Sequence, residues 1–89
     1  MAYRIIIADE RIWKKDCAAI PRKQLELILR KVAALKNDPW AGNVQVKLLK
    51  DYLVADFRLR IGEYRVLFDK DESAKTIVLF RILHRSKLY

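Results

Sequence analysis

Residues 57–68, FRLRIGEYRVLF, constrain the fold more than any other stretch, because arginines alternate with apolar residues on both sides of a Gly-Glu pair. Such alternation is typical of a half-buried strand, and a glycine at the first central position is typical of a two-residue hairpin turn. The turn also fixes the register of the two strands. The predicted pairs are Ile61–Tyr64, Arg60–Arg65, Leu59–Val66, Arg58–Leu67 and Phe57–Phe68. One face of this hairpin is then apolar, and the other carries three arginines.

The rest of the chain predicts two helices and two further strands. Residues 2–8 are apolar and β-branched and indicate a first strand. Asp9 is a plausible N-cap for an amphipathic helix that reaches Ile20, and Pro21 ends this helix and occupies the first position of the next. The second helix should end near Asn37-Asp38-Pro39. Residues 46–54 are predicted as loop with some strand, and residues 75–85 as a last, largely buried strand.

These elements predict one α+β domain over residues 1–89. An N-terminal strand is followed by an antiparallel helix hairpin and then by a three-stranded antiparallel meander. The strands form one antiparallel sheet, with the helices packed on one of its faces.

The charge of the chain favours a polyanionic partner. Its net charge is +8 and its pI is about 9.9, and the excess is spread evenly, with 9 basic and 5 acidic residues in 1–44 and 10 and 6 in 45–89. Nucleic acid or an acidic protein are the first partners to consider. A single cysteine, Cys17, fits a reducing compartment. No apolar run is long enough for a signal segment or a membrane span, so we expect a soluble, cytoplasmic protein with no membrane partner.

The arginine face is costly for folding and useful for binding. Arg60 directly opposite Arg65 is unfavourable by up to about 1 kcal/mol. A phosphate over this face would receive charge-assisted hydrogen bonds from several guanidinium groups. The alternative is a solvated face on which the arginines pair with Asp56, Glu63 or Asp69, and the hairpin alone does not decide between the two.

Further candidates lie on either side of the hairpin. A basic cluster around the arginines forms if the last strand lies beside the hairpin, and its candidate phosphate-binding members are Lys47, Lys50, Arg58, Arg60, Arg81 and Lys87. The C-terminal stretch LHRSKLY adds His84, Arg85 and Tyr89. His84 is either a titrating group or a hydrogen-bonded structural residue, and Tyr89 either stacks on a base or belongs to a frayed terminus.

The chain has no Ser-His-Asp pattern, no glycine-rich phosphate loop and no cluster of metal ligands. We therefore expect no cofactor and no metal. A basic site of this kind suits RNA cleavage by the neighbouring 2′-hydroxyl, which needs phosphate charge stabilised and groups that transfer protons.

Two motifs resemble the RelE/ParE toxin superfamily over nearly the whole chain: the hairpin FRLRIGEYRVLF and the ending LHRSKLY, after a strand and a helix pair that ends in NDP. The resemblance implies the toxin of a type II toxin–antitoxin system. Its RelE branch cleaves mRNA in the ribosomal decoding site without a metal. A cognate antitoxin would wrap the toxin in a hetero-oligomer and cover the site.

The resemblance also implies roles for individual residues. Arg65 matches the arginine that stabilises the scissile phosphate, Arg85 matches an arginine of the last strand, and Tyr89 matches a tyrosine that stacks on the nucleotide. Arg58 and Arg60 fall where some RelE members have lysines, one of them a proposed base. Arginine stays protonated, so both are expected to stabilise charge, and His84 becomes the candidate base.

Two rival functions remain open at this stage. The ParE branch shares the fold and inhibits DNA gyrase, and a non-catalytic RNA-binding module would carry the same charge. The terminal His84-Arg85 pair and Tyr89 favour the RelE type, a ribosome-dependent mRNA endoribonuclease.

Overall fold

The computed structural model describes residues 3–37, 46–50 and 54–88. In chain order its elements are β1 (Arg4–Ile7), α1 (Glu10–Ala18), α2 (Arg22–Ala34), β2 (Val46–Leu48), β3 (Phe57–Ile61), β4 (Tyr64–Asp71), β5 (Thr76–His84) and α3 (Arg85–Leu88). None of these helices has the length and apolar character needed to cross a membrane.

The helix hairpin forms as predicted, with small differences at its ends. The Asp9 carboxylate caps α1 by accepting hydrogen bonds from the N–H groups of Arg11 (3.0 Å) and Ile12 (3.2 Å). Pro21 precedes the first residue of α2 instead of occupying that position, because its backbone is extended (φ −54°, ψ 141°). Helix α2 ends at Ala34 and a turn follows to residue 37. The predicted stop at Asp38-Pro39 lies outside the described residues.

The sheet has five strands in the order β1-β5-β4-β3-β2. The predicted antiparallel meander of β3, β4 and β5 is confirmed, and β2 adds an edge strand beside β3. The expectation of a wholly antiparallel sheet was wrong for one pair, since β1 runs parallel to β5 from Arg4↔Thr76 to Ile7↔Leu79. Parallel strands need a long crossover connection, which the intervening helices and strands supply, and residue alternation does not encode strand direction.

Helices α1 and α2 cover one face of the sheet. The buried cluster between these helices and the sheet contains Trp13, Ile20, Ile28, Val32, Leu35, Leu59, Ile61, Val66, Phe68, Ile77, Leu79 and Ile82. Leu59, Ile61, Val66 and Phe68 are the apolar side of the predicted hairpin. That half of the hairpin prediction is therefore confirmed.

A bulge interrupts the pairing of β4 with β5. Leu67 pairs with Arg81, but the next residue, Phe68, pairs with Leu79, so Phe80 is the extra residue. Alternation along β5 is shifted there by one position. This shift allows Ile82 to join the buried cluster and places Arg81 in a row with Leu67.

Candidate functional site

The arginine hairpin has the predicted register, and β5 lies beside it. Arg60 pairs with Arg65 across β3 and β4, and on the other side of β4 Arg65 pairs with Leu83. The last strand therefore lies beside the hairpin, as the predicted basic cluster required. At the far edge Lys47 of β2 pairs with Arg58, so Lys47, Arg58, Arg60 and Arg65 point to the same face of the sheet.

The three arginines of the hairpin differ in environment. Arg60 is exposed, Arg58 is half-buried, and Arg65 is only 8% exposed. Leu67, on the same face, is fully buried as well. Because β4 is a central strand, its side chains lose solvent even on the face away from the helices. The alternative of a solvated face, on which the arginines pair with nearby carboxylates, therefore does not describe Arg65.

The guanidinium of Arg65 is held by the hairpin turn. Its Nη1 donates to the carbonyl oxygens of Gly62 (2.9 Å) and Tyr64 (3.0 Å). Its Nε is buried and, in the described part of the chain, has no hydrogen-bond partner. Gly62 provides the turn because its φ of +57° is costly for other residues. The result is a fixed, permanent positive charge next to the turn.

Arg85 is the first residue of α3, directly after β5, and it contacts the same turn. Its backbone N–H donates to the Glu63 carbonyl (2.8 Å), and its Nε lies 2.6 Å from Glu63 Oε2. Both side chains are more than half exposed. The Gly62–Tyr64 turn thus contacts Arg65 and Arg85 and brings them to one end of the sheet.

His84 lies beside Arg85 and directly across from Tyr64. The two rings meet edge to face with centroids 5.4 Å apart. The His84 Nδ1 accepts a hydrogen bond from the Ser86 N–H (3.2 Å) and lies 2.9 Å from the Ser86 hydroxyl oxygen. Because Nδ1 accepts the Ser86 N–H, the neutral ring carries its proton on Nε2 in this arrangement. In the other tautomer Nδ1 donates to the Ser86 hydroxyl, and Nε2 then has the lone pair that can accept a proton from a bound molecule.

A cleft of about 150 Å³ opens next to this histidine. Its lining residues are Asp16, Ala19, Ile20, Tyr64, Arg81, Ile82, Leu83, His84 and Lys87. Lys87 is exposed on α3, so the cleft combines aromatic, apolar and cationic groups.

Arg81 binds a carboxylate of the protein itself. Its Nε and Nη2 donate to the two oxygens of Asp16 on α1 (2.8 and 2.9 Å), and one of those oxygens also accepts from the Ile82 N–H (3.0 Å). Burial raises the pKa of Asp16, but the hydrogen bonds from Arg81 and Ile82 outweigh burial, and the net pKa is lowered. Arg81 thus anchors α1 to β5, and its predicted contact with phosphate stays a prediction.

The remaining predicted cations form a separate groove at the β2 edge. Lys47, Lys50 and Arg58 line it together with Leu48 and Leu49, around a volume of about 370 Å³. Tyr89, the predicted stacking residue, lies outside the described residues.

Sequence reasoning missed the roles of Asp16 and Glu63. Asp16 falls three residues after Trp13 and one before Cys17, on the apolar stripe of α1, and an acidic residue there is a signal for a buried ion pair. Glu63 was considered only as a partner of the arginines on the sheet face. Its actual partner, Arg85, is distant in sequence and close only through the pairing of β4 with β5.

Comparisons with known proteins place this arrangement in a family. Residues 5–89 match the sequence model described as "ParE toxin of type II toxin-antitoxin system, parDE". No curated protein matches the chain.

Solved structures show the same fold at low sequence identity. The toxin–antitoxin complex RelBE2 from Mycobacterium tuberculosis gives a TM-score of 0.77 at 24% identity, over 96% of this chain and 100% of the matched chain. The archaeal RelE–RelB complex from Pyrococcus horikoshii OT3 gives 0.76 at 24%, over 98% and 99%. A mutant of E. coli toxin RelE in the free state gives 0.62 at 16%, over 98% and 87%. The family model spans nearly the whole chain, and the chain therefore belongs to the RelE/ParE superfamily of type II toxin–antitoxin toxins.

Proposed function

We propose that this toxin is a ribosome-dependent mRNA endoribonuclease of the RelE type. The observation that carries the proposal is the convergence of Arg65 and Arg85 on the Gly62–Tyr64 turn. Two permanent cations at one end of a sheet suit a phosphate that gains negative charge during reaction. The structural similarity to toxins titled RelE supports the choice.

In the proposed reaction the 2′-oxygen attacks the adjacent phosphorus and the bond to the 5′-oxygen breaks. Arg65, fixed by two carbonyls, contributes positive potential, and Arg85, which is exposed, contacts the phosphate oxygens directly. The 2′-hydroxyl proton passes to Nε2 of His84, in the tautomer in which Nδ1 donates to the Ser86 hydroxyl, and the leaving 5′-oxygen takes a proton from water. Neither Arg58 nor Arg60 can act as this base, because arginine stays protonated at neutral pH. Tyr89 is assigned to stacking on the nucleotide.

The cationic groove at the β2 edge would hold flanking phosphates. Lys47 and Arg58 share a face with Arg65, so a strand of RNA can follow that face from the groove towards the turn. Contacts of this kind position a nucleic acid without selecting its sequence. Message selection is then left to the ribosome.

A cognate antitoxin is the second proposed partner, in a toxin–antitoxin hetero-oligomer. Three of the similar structures are titled as complexes of RelE with RelB or as RelBE2, which supports a small protein inhibitor for this chain as well.

Primer extension on programmed ribosomes tests the function. We expect the wild-type toxin to cut the message in the decoding site and Arg85→Ala to reduce cutting at least about 100-fold, as expected for loss of a charge that stabilises the transition state. Arg22→Ala is the matched control, because Arg22 is an exposed arginine that pairs with Glu26 on α2. An intact message with the wild-type toxin contradicts the proposal.

Protein-free RNA should be cut poorly. The described cations hold phosphates, and no described group is arranged to read a base sequence. Rapid cleavage of the same message without ribosomes would contradict ribosome dependence.

Gyrase inhibition is the second candidate, because the matching family model is described as ParE toxin. A supercoiling assay run in parallel separates the two. Inhibited supercoiling with an intact message would favour the ParE activity, and RNA binding without either effect would favour a non-catalytic RNA-binding module.

A further inference from the structure

Glu63 contacts Arg85 of the candidate site through one backbone hydrogen bond and one side-chain ion pair. Its carbonyl accepts the Arg85 backbone N–H at 2.8 Å, and its carboxylate Oε2 lies 2.6 Å from Arg85 Nε. The neighbouring turn residues, Gly62 and Tyr64, hold Arg65. The Gly62-Glu63 turn and the adjoining Tyr64 therefore set the positions of both arginines.

We propose that Glu63 is a positioning residue for Arg85. A guanidinium group has two edges for hydrogen bonding, and the carboxylate of Glu63 occupies Nε. The edge formed by the two Nη atoms then remains to bind a phosphate in the bidentate manner. This assignment rests on the proposed ribonuclease function.

Stability does not account for this ion pair. The side chains of Arg85 and Glu63 are 60% and 53% exposed, and pairs of that kind contribute little to folding. What the contact does is restrict a long side chain before substrate arrives. If such a side chain must be ordered only when substrate binds, the entropy cost lowers the binding constant or the reaction rate by about 2- to 12-fold.

The sign of the effect separates positioning from competition. If Glu63 merely competed with phosphate for Arg85, its removal would leave a more positive site and faster cleavage. If Glu63 orients Arg85, its removal slows cleavage even though the net charge becomes more favourable for RNA.

The test is a double-mutant cycle of Glu63 with Arg85 on programmed ribosomes. Single-turnover cleavage rates and ribosome affinities are measured for wild type, Glu63→Ala, Arg85→Lys and the double variant. We expect Glu63→Ala to lower the cleavage rate about 2- to 12-fold with ribosome affinity unchanged, because only the orientation of one side chain is lost. In the Arg85→Lys background, where Nε is absent, the same change should have no effect.

Two further variants sharpen the cycle. Glu63→Gln keeps an oxygen acceptor and should recover part of the lost rate. Glu26→Ala removes an exposed carboxylate that pairs with Arg22 in α2 and should leave the rate unchanged.

Specific results would overturn the assignment. An equal or higher rate for Glu63→Ala means that the residue competes with substrate. Equal losses in both Arg85 backgrounds, with a lower melting temperature, mean that it only supports the turn. A wild-type toxin that cuts no message refutes the proposed function itself, and the assignment with it.

Discussion

At the scale of single residues, Arg65 combines two properties that usually exclude each other. It is a permanent charge, yet it is almost fully buried. The carbonyls of Gly62 and Tyr64 supply partial negative charge in place of a carboxylate, and they leave the charge of Arg65 uncancelled. Among the described residues no carboxylate pairs with Arg65, and a buried cation of this kind projects more potential into the site than a paired surface arginine would.

This difference predicts unequal costs for two arginine substitutions. Arg65→Ala should lower the free energy of unfolding by about 1–3 kcal/mol, because the two carbonyls lose a charged donor. Arg85→Ala should change it by less than about 1 kcal/mol, since its ion pair is exposed. Urea denaturation of both variants measures the two values. If the two variants have equal free energies of unfolding, the hydrogen bonds of Arg65 to the turn contribute nothing to folding. The sequence alone suggested this outcome, because it gave neither arginine a role in stability.

At the scale of elements, one carboxylate joins the start of the chain to the turn between β4 and β5. Glu72 accepts a hydrogen bond from the Tyr3 hydroxyl and pairs with Lys70 (3.1 Å) and Lys75 (3.4 Å). The ammonium of Lys75 also lies 5.4 Å from the centre of the Tyr3 ring. Tyr3 immediately precedes β1, so this cluster fastens the parallel pair of β1 and β5 at one end.

The cluster predicts a specific loss of stability in acid. The hydrogen bond from Tyr3, with that from Lys70, lowers the pKa of Glu72 from 4.5 to about 2. Because the folded-state pKa is depressed, the stabilisation is present above about pH 4.5 and is lost as the pH falls towards 2. Urea denaturation between pH 7 and pH 2 should therefore show a smaller decline for Glu72→Gln than for wild type. Glu26→Gln, a matched exposed carboxylate, should follow wild type, and identical curves for all three chains would refute the role of Glu72.

Elements with strong local signals could be predicted from the sequence. The register of β3 and β4 is confirmed pair by pair, because a two-residue turn at Gly62-Glu63 permits one alignment. The strand β2 lies within residues 46–54, which were predicted as loop with some strand. The direction of β1 and the bulge at Phe80 could not be predicted, since each depends on partners distant in sequence.

The candidate site divides in the same way. The hairpin motif identified Arg65 and its neighbours, and the adjacency of β4 and β5 brings Arg85 to the turn. Residue types do not reveal which cations the protein neutralises internally, and the Asp16–Arg81 pair is visible only in three dimensions.

At the scale of the whole molecule, a net charge of +8 is divided between different tasks. Some cations, such as Arg81, serve the fold, and others, such as exposed Lys47, lie on the face that carries Arg65. The total charge therefore overstates how many cations are available to a polyanionic partner.

This distinction predicts different salt dependences for two lysine variants. Affinity for single-stranded RNA should fall with salt, and Lys47→Gln should reduce the slope of log K against log salt by about 0.7, the value for one lost phosphate contact. Lys23→Gln makes the same charge change at an exposed position on α2 and should leave the slope nearly unaltered. Fluorescence anisotropy at several salt concentrations gives both slopes. Equal reductions would mean that RNA responds to total charge and not to this face.

The parallel pairing of β1 with β5 places the first strand to be synthesised beside the last. During translation β1 leaves the ribosome before the other described strands, but β5, its one neighbour among them, is made after the rest. Strand β5 is also the neighbour of β4. A nascent chain that still lacks β5 can therefore form the β3–β4 hairpin but cannot complete its sheet. The described sheet can therefore close only after β5 has been synthesised, so the parallel pair makes β1 wait for its strand partner.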